Sequence, residues 1–349
     1  MIELIPISAD KLIREYKEEV EHDILSRYAT FSDSTKGRMK EEKECDLRPC
    51  FQRDRDRVLY SRAFRRLSGK TQVFLDPEGD HYRTRLTHTL EVNQTARAIS
   101  AALRLNEDLT DAISLAHDLG HTPFGHAGER ALNRAMNESC GKTFKHFVQS
   151  LRVVDRIEKH GEGLNLTWEV RDGIVNHQVD TVPATLEGKV VRLSDKIAYI
   201  NHDIDDAIRG NIITDADIPK RFTDVLGHSL TSRLNVEIHD IIRFSLGRDD
   251  VGMSPELMEL TKDFRDWMFA NVYTNPVAKG QENKAEELVE ELFRYYLDNV
   301  DRLPEDYKKM LDEGEEVHQV VADYVSGMTD RFAIARYKEI RIPFSWDVY

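Results

Sequence analysis

Apolar side chains recur every three or four residues along most of the chain, which is the spacing of one buried face of an α-helix. The clearest run lies over 190–209, where the apolar stripe consists of Leu193, Ile197, Ile200, Ile204 and Ile208. Similar runs predict helices over 12–24, 58–67, 86–103, 109–116, 144–157, 168–177, 219–246, 255–271, 282–300 and 315–338. Alternating patterns typical of strands are scarce, so the sequence predicts an all-α fold.

Length and composition suggest how these helices are organised. The chain has 349 residues, of which 40% are hydrophobic, and this is enough for a substantial core. The stretch 30–44 is rich in Ser, Lys and Glu and predicts a mobile loop. We therefore expect an N-terminal helix and mobile loop over 1–45, a main helical domain over 46–245, and a C-terminal helical extension over 246–349 that packs on it.

Charge and cysteine content narrow the classes of function. The formal net charge is −14, which argues against a general nucleic-acid-binding protein. The arginines between 53 and 57 alternate with aspartates, as in a salt-bridged helix start. No apolar run is long enough for a membrane span, and the first residues do not form a signal peptide. Three cysteines without metal-ligand spacing suit a reducing compartment, so we expect a cytoplasmic protein.

The densest group of chemically active residues lies between His117 and His126. His117 and Asp118 are adjacent, and His121 and His126 follow across a turn that contains Gly120 and Pro123. Three imidazoles and a carboxylate so close together are costly to bury unless they bind something. The alternative is a helix end that carries surface histidines.

Two further residues complete a candidate metal site. His88 lies on the predicted helix before the His-Asp pair, and Asp195 lies on the long helix after it. Together with His117 and Asp118 they would offer two imidazoles and two carboxylates, a mixed set that suits Mn²⁺, Fe²⁺, Ni²⁺, Zn²⁺ or, less well, Mg²⁺. Taken alone, His88 and Asp195 are equally compatible with an ordinary helix surface.

Four segments resemble the HD superfamily of metal-dependent phosphohydrolases, and within it the deoxynucleoside triphosphate triphosphohydrolases, or dGTPase-like proteins. They are 51–57 with 63–67, 79–92, 117–126 and 195–206, so that the likeness covers roughly 45–210. The resemblance implies that 46–245 is an HD domain, and that its metal ligands are His88, His117, Asp118 and Asp195.

The resemblance also implies roles for other residues. His126 matches the catalytic histidine, and Glu129, one helical turn later, suits a carboxylate that fixes its tautomer. Glu129 alone is equally well a charge favoured at a helix N-terminus. His121 and His146 match positions that contact phosphate, Asp203 and Gln72 match those that bind the 3′-hydroxyl, and Val73 would lie beside the 2′ position. Three further candidates come from the residues themselves: Arg85, on the same helix face as His88, suits a phosphate oxygen by its forked donors, Lys196 beside Asp195 would add a second cation, and Tyr199 suits sugar packing.

The implied activity is hydrolysis of a dNTP at the α-phosphorus, which releases a deoxynucleoside and inorganic triphosphate. A divalent cation of undetermined identity is the implied cofactor. The resemblance further implies a homo-oligomer, a hexamer or a tetramer, and an activating second dNTP. Two alternatives stay open: another HD phosphohydrolase, such as a nucleotidase or phosphodiesterase, and a nucleotide-sensing protein without turnover. No P-loop motif occurs, which argues against cleavage at the γ-phosphate by a Walker-type enzyme.

Overall fold

The computed structural model describes residues 12–72, 83–178, 181–273 and 281–343. Within those ranges the regular structure is helical, apart from two isolated β-bridges, Arg38–Thr167 and Thr71–Thr84. The predicted all-α fold is therefore confirmed. No helix in the described ranges is both long enough and apolar enough to cross a membrane.

The helices follow one another with short connections. In chain order they are α1 (Ile13–Ile24), α2 (Cys50–Leu59), α3 (Arg62–Arg66), α4 (Arg85–Leu103), α5 (Glu107–Ala116), α6 (Gly125–Cys140), α7 (His146–Arg152), α8 (Trp168–Val175), α9 (Leu186–Arg209), α10 (Lys220–Leu226), α11 (Leu230–Ser245), α12 (Pro255–Met268), α13 (Glu282–Asp298), α14 (Glu305–Asp312), α15 (Val317–Ser326) and α16 (Asp330–Arg341).

Three of the predicted helices are each divided into two. The run over 58–67 is interrupted at Ser61, whose hydroxyl accepts the amide of Phe64 and starts α3. The run over 219–246 breaks at Gly227, which has a φ of +83°, and Ser229 then caps α11. The run over 315–338 ends α15 at Ser326, and Thr329 caps α16. Because the apolar periodicity continues across each break, the capping residue marks the start of the second helix better than the periodicity does.

Two hydrophobic cores divide the molecule, and the His-Asp turn lies between them. The larger core joins α2, α4, α5, α8 and α9 and includes Leu119 of the turn. The smaller core joins α6 to α13, α15 and α16 and includes Phe124 of the same turn. The C-terminal helices therefore share a core with α6, the helix that begins directly after the His-Asp motif.

Hydrogen bonds from the C-terminal helices hold this turn in place. Asp330 accepts the amide of Phe124 at 2.9 Å, the amide of Thr71 at 2.9 Å and the hydroxyl of Thr71 at 2.5 Å. The buried ammonium of Lys70 donates to the carbonyls of His121 and Ser326. Phe124 has a φ of +61°, a strained value for a residue with a side chain, so these contacts offset a local backbone cost.

The polar segment 30–44 contains one short 3₁₀ turn, Ser32–Ser34, and is otherwise irregular. It is tied to the helices by buried or partly buried groups, since Thr35 donates to Glu169 at 2.7 Å and Arg38 pairs with Asp54 at 2.5 Å. The nearby arginines of α2 form ion pairs, as the alternating sequence indicated. They include Arg53 and Arg57 with Glu42, and Arg55 with Asp108.

Candidate metal centre and active site

Three helices bring three of the four predicted metal ligands together. His88 projects from α4, His117 follows the last residue of α5, and Asp195 lies on α9. His88 Nε2 is 3.0 Å from Asp195 Oδ1, and His117 Nε2 is 3.7 Å from the same oxygen. Their ligand atoms lie within 4.8 Å of one another, so one cation could contact all three. Burial alone would raise the pKa of Asp195, but the hydrogen bond from His88 and the charge of His117 lower it to about 2.

The hydrogen bonding of His117 fits a metal ligand. Its Nδ1 donates to the carbonyl of Ser114 at 2.6 Å, which leaves the Nε2 lone pair facing the centre. That Nε2 is buried and meets no hydrogen-bonding group in the described structure. An unsatisfied buried imidazole nitrogen is costly, and a divalent cation would satisfy it. Two imidazoles and a carboxylate, with His117 already oriented by the carbonyl of Ser114, are therefore suited to a divalent transition metal.

The fourth predicted ligand, Asp118, is oriented differently. Its Oδ2 lies 3.7 Å from His117 Nε2, but it also accepts Arg85 Nη1 at 2.5 Å. Burial would raise the pKa of Asp118, yet the charge of Arg85 and those of the neighbouring histidines hold it well below its usual range. Arg85 itself is buried and donates to the backbone carbonyl of Gln72 at 3.1 Å. Asp118 therefore lies at the edge of the three-residue group.

The turn after Asp118 owes its shape to two glycines. A Cβ on Gly120 would fall 2.1 Å from the backbone nitrogen of Ser150, so no other residue fits there without movement. Gly125 has a φ of +57°, and a Cβ on it would approach the carbonyl of Gln72 at 2.9 Å. The turn brings the rings of His121 and His126 together, with their centroids 5.3 Å apart.

Glu129 is shared by two histidines. It lies 3.4 Å from Nδ1 of His126, whose side chain is 62% exposed, and 3.0 Å from Nδ1 of the buried His146. Glu129 also accepts the amide of His146 at 2.9 Å. Burial would raise the pKa of Glu129, but the hydrogen bonds with His126 and His146 hold it far below its usual range. The closer of its two partners is thus His146.

His146 and His121 stack beside this carboxylate. Their ring centroids are 4.6 Å apart and their planes differ by 24°. Burial disfavours the His146 cation, but the hydrogen bond and charge of Glu129 outweigh it and raise its pKa. Burial and the charge of Arg85 push the pKa of His121 well below its usual range. His146 can therefore carry a proton while His121 stays neutral.

Two of the predicted sugar contacts, Tyr199 and Asp203, lie one helical turn apart on α9. Asp203 is buried and accepts the hydroxyl of Tyr273, and burial raises its pKa to about 7. Tyr199, one helical turn before Asp203, is half-buried, and its pKa is raised by burial and by the charge of Asp203. Gln72 is buried next to Arg85, with its side-chain oxygen unpaired in the described structure. Val73 and residues 79–82 lie outside the described residues.

The charges that act most strongly on Lys196 are not those of the three-residue metal group. The charged groups that act on it are Arg265, Arg192 and Glu237, and burial lowers its pKa. Its position beside Asp195 in sequence does not bring it into a hydrogen bond with the ligands in the described structure. Lys196 and Arg265 instead mark a positively charged region between α9 and α12.

Sequence reasoning missed two residues of the site. Tyr273, at the end of the π-helical segment Phe269–Tyr273, holds Asp203. His177, directly after α8, is buried with its ring centroid 5.2 Å from that of His117. Its pKa is lowered to about 4 by burial and by the charge of His117. Neither residue lies in a local motif, because each reaches the site only through helix packing.

A buried carboxyl beside the site predicts a measurable pH effect. Glu237 on α11 accepts Asn201 Nδ2 at 2.6 Å, and the positive charges of Arg233 and Lys196 favour its ionised form. Burial nevertheless raises its pKa to about 8. At pH values between the pKa of Glu237 in the unfolded chain and its pKa in the folded protein, the folded protein binds more protons than the unfolded chain. The free energy of unfolding therefore falls as the pH rises through this range, by at most about 1.4 kcal/mol per pH unit.

We expect Glu237→Gln to remove this pH dependence, because glutamine does not titrate. Urea unfolding should give similar free energies for variant and parent near about pH 5 and a more stable variant near about pH 9. Glu259→Gln, an exposed position on α12, is the matched control and should follow the parent at both values. Parallel pH profiles for parent and Glu237→Gln would show that Glu237 is ionised in the folded protein.

Comparison with known proteins agrees with the geometry. The model of the HD domain matches residues 85–200, which contain all four predicted ligands. The model described as the phosphohydrolase-associated domain matches 251–339, which include the helices that hold the His-Asp turn.

Full-length relatives are similar along nearly the whole chain. A protein from Caldanaerobacter subterraneus subsp. tengcongensis is 54% identical over 96% of this chain and 97% of its own length. A protein from Desulfatibacillum aliphaticivorans is 46% identical over 95% and 98%, and one from Clostridium tetani is 43% identical over 97% and 99%. Each of the three is described as a deoxyguanosinetriphosphate triphosphohydrolase-like protein.

Proposed function

This chain belongs to the HD-domain family of deoxyguanosinetriphosphate triphosphohydrolase-like proteins, and from this premise we propose that it hydrolyses deoxynucleoside triphosphates at the α-phosphorus. The family and its HD domain make the protein a phosphohydrolase. The substrate, the bond that is cleaved and the dependence on a divalent cation are the parts that we propose.

One observation carries the proposal. A buried group of His88, His117 and Asp195 presents an unsatisfied imidazole nitrogen, and Arg85 and the Glu129–His146 pair lie next to it. The first three residues would hold a divalent cation, with Asp118 as an additional ligand. When bound, the cation supplies Lewis-acid polarisation of a phosphate oxygen and lowers the pKa of a nearby water. The donors next to this cation, Arg85, His146 and the neutral His121, suit the oxygens of a triphosphate.

Side chains of the protein would transfer the proton that the reaction moves from the attacking water to the leaving group. A water oxygen bonds to the α-phosphorus while the bond from that phosphorus to the 5′-oxygen breaks, so the water loses a proton and the deoxynucleoside gains one. His126 is the accessible imidazole, and Glu129 lies close enough to its Nδ1 to orient the ring. His126 serves either as the base for water or as the acid for the 5′-oxygen, and both roles are consistent with its exposure.

The remaining residues would bind the substrate. Arg85 has the forked donors that suit phosphate oxygens, and His121 and His146 lie on the same side of the turn. Lys196 would interact with the more distant phosphates. Tyr199 would pack on the deoxyribose, and Asp203 and Gln72 would bind the 3′-hydroxyl. Because a protonated Asp203 can donate and an ionised one can only accept, Tyr273 helps to set the direction of that hydrogen bond.

The test is an analysis of products. Protein loaded in turn with Mn²⁺, Mg²⁺, Fe²⁺, Ni²⁺ or Zn²⁺ is incubated with each of the four dNTPs, singly and mixed, and with GTP. Equal amounts of deoxynucleoside and inorganic triphosphate, lost after chelation, are the expected result. Turnover that appears only in mixtures would identify an activating nucleotide.

Other outcomes would contradict the proposal. Release of orthophosphate or pyrophosphate would indicate a different HD phosphohydrolase, such as a nucleotidase. Binding of a dNTP without any product, for every metal, would indicate a nucleotide sensor. Hydrolysis of a cyclic or linear diester, with no reaction of dNTPs, would indicate a phosphodiesterase.

A further inference from the structure

Cys140, Glu316 and His318 meet at one point where α6 ends and α15 begins. Cys140 is the last residue of α6, Glu316 caps the start of α15, and His318 is the second residue of that helix. One ligand atom of each residue lies within 4.8 Å of the other two. A thiolate, a carboxylate and an imidazole are the side-chain groups that bind zinc in proteins.

This group is distant from the His-Asp turn. The helix α6 begins at Gly125, beside His126, and ends at Cys140, so its two ends are about 22 Å apart at a rise of about 1.5 Å per residue. The candidate metal group of His88, His117 and Asp195 contains no sulphur ligand. A cation bound by Cys140 would therefore differ from the proposed catalytic cation in both position and ligand chemistry.

Packing fixes the backbone on which these side chains are carried. Cys140 is partly buried and packs against the smaller hydrophobic core, and Val317, between the other two residues, packs against the same core. The thiol of Cys140 donates to the carbonyl of Met136 at 3.2 Å. The side chains of His318 and Glu316 are 22% and 40% exposed, so a cation from solvent can reach them.

Two positive groups already act on the Glu316 carboxylate. Its Oε1 is 2.5 Å from His318 Nδ1, and its Oε2 is 3.1 Å from Lys142 Nζ. Burial would raise the pKa of Glu316, but the hydrogen bonds with His318 and Lys142 lower it, so the carboxylate is ionised near neutral pH. A divalent cation beside this carboxylate and a Cys140 thiolate balances both negative charges, and it would displace the Lys142 ammonium.

We propose that Cys140, Glu316 and His318 bind a zinc ion that joins the end of α6 to the start of α15. A thiolate ligand favours Zn²⁺ over Mn²⁺ or Mg²⁺, and three protein ligands leave a fourth position for water. Binding releases the thiol proton of Cys140 to solvent, so the affinity should rise with pH. The inference does not depend on the proposed reaction, because none of the three residues belongs to the candidate active site.

The ion would attach α15 at the end opposite to its contacts with the His-Asp turn. The carbonyl of Ser326, at the last residue of α15, accepts the ammonium of Lys70, and Asp330 then accepts the amide of Phe124. Zinc at Cys140 would hold the first turn of the same helix to α6. No sequence motif marks this site, because the two segments meet only through helix packing.

Cobalt binding tests the proposal, because Co²⁺ can replace Zn²⁺ and its bond to a thiolate gives a charge-transfer band in the near ultraviolet. Full-length reduced protein is stripped with a chelator and titrated with Co²⁺. We expect the band in the parent, no band in Cys140→Ser and binding at least about tenfold weaker in His318→Ala. Cys45→Ser changes a cysteine outside the ligand groups of the described residues and should keep the band.

Lys142→Ala tests the charge argument in the opposite direction. It removes the ammonium that competes for Glu316, and exposed ion pairs of this kind contribute about 0.2–1 kcal/mol. The Co²⁺ affinity measured from the thiolate band should therefore increase, by up to about fivefold. Weaker binding by Lys142→Ala would contradict the assignment of Glu316 as a ligand.

Alkylation of the parent decides the matter even if a variant does not fold. Zn²⁺ should slow the reaction of iodoacetamide with Cys140 and leave the reaction of Cys45 unchanged, which peptide mass spectrometry reports. An alkylation rate of Cys140 that Zn²⁺ does not change, or a parent without the thiolate band, would overturn the proposal. A band that persists in Cys140→Ser would also overturn it, since another cysteine would then be the ligand.

Discussion

Replacing His117 by alanine is expected to lower the rate of dNTP hydrolysis by about 10³–10⁴-fold, because polarisation by a bound metal contributes several kcal/mol and each 1.4 kcal/mol is about tenfold in rate. His117 is at the centre of the ligand group, with its Nε2 3.7 Å from both Asp195 and Asp118. Without that nitrogen, His88 and Asp195 remain as an incomplete pair. The measurement is kcat with Mn²⁺ in excess.

The same variant should lose the stabilisation that metal binding brings. A ligand present at about 100 times its Kd stabilises the folded state by about 2.7 kcal/mol, which appears as a rise in Tm. The control is His239→Ala, which removes an exposed imidazole on α11. On addition of Mn²⁺, the Tm of the parent and of His239→Ala should rise, and that of His117→Ala should not. A His117→Ala protein that keeps both the Tm rise and the turnover would show that the cation binds elsewhere.

The parts of this site that the sequence predicted are those with a local pattern. His117 and Asp118 are adjacent at the end of an apolar helix, and Asp195, Tyr199 and Asp203 recur every fourth residue opposite an apolar stripe. Adjacent residues stay adjacent in the folded chain, and residues four apart stay on one face of a helix. The His-Asp pair therefore lies at the end of α5, and the other three residues lie along α9. Apolar periodicity likewise predicted most of the helices. It failed where the apolar pattern continues but a capping residue, Ser61, Ser229 or Thr329, begins a new helix.

The parts that could not be predicted depend on contacts between distant segments. His177 follows α8 without any motif, and its importance appears only when α8 packs against α5 and α9. Asp330 is 206 residues from Phe124, yet it accepts the amide of that residue. Glu129 pairs with His146 as well as with His126 because α7 begins at His146, whose amide donates to the Glu129 carboxylate. Sequence spacing contains no information about such distances.

The second large effect concerns proton transfer. Replacing His126 by alanine should lower kcat by about 10²–10⁴-fold, the usual contribution of a general acid or base. Substrate binding should change little, because the exposed imidazole is not among the buried metal ligands. Separate measurements of kcat and KM, with the metal content of each preparation, check both statements. Unchanged kcat in a fully loaded His126→Ala protein would exclude His126 as the proton-transfer group.

Glu129→Gln should act through two histidines at once, lowering kcat through His126 and raising KM through His146. The carboxylate lies 3.4 Å from His126 Nδ1 and 3.0 Å from His146 Nδ1, and a neutral amide cannot stabilise positive charge on either ring. The buried His146 should lose its raised proton affinity, so Glu129→Gln should raise KM as well as lower kcat. Glu138→Gln, an exposed position on α6, is the control and should leave both constants unchanged.

The double variant distinguishes orientation of His126 from an independent role of Glu129. If Glu129 acts only by orienting His126, its loss adds nothing once the imidazole is gone, and the kcat of the double variant equals that of His126→Ala. Its partnership with His146 predicts a separate effect, on KM. We expect His126→Ala with Glu129→Gln to match His126→Ala in kcat but to keep the raised KM of Glu129→Gln, because phosphate binding beside His146 is a separate task of the same carboxylate.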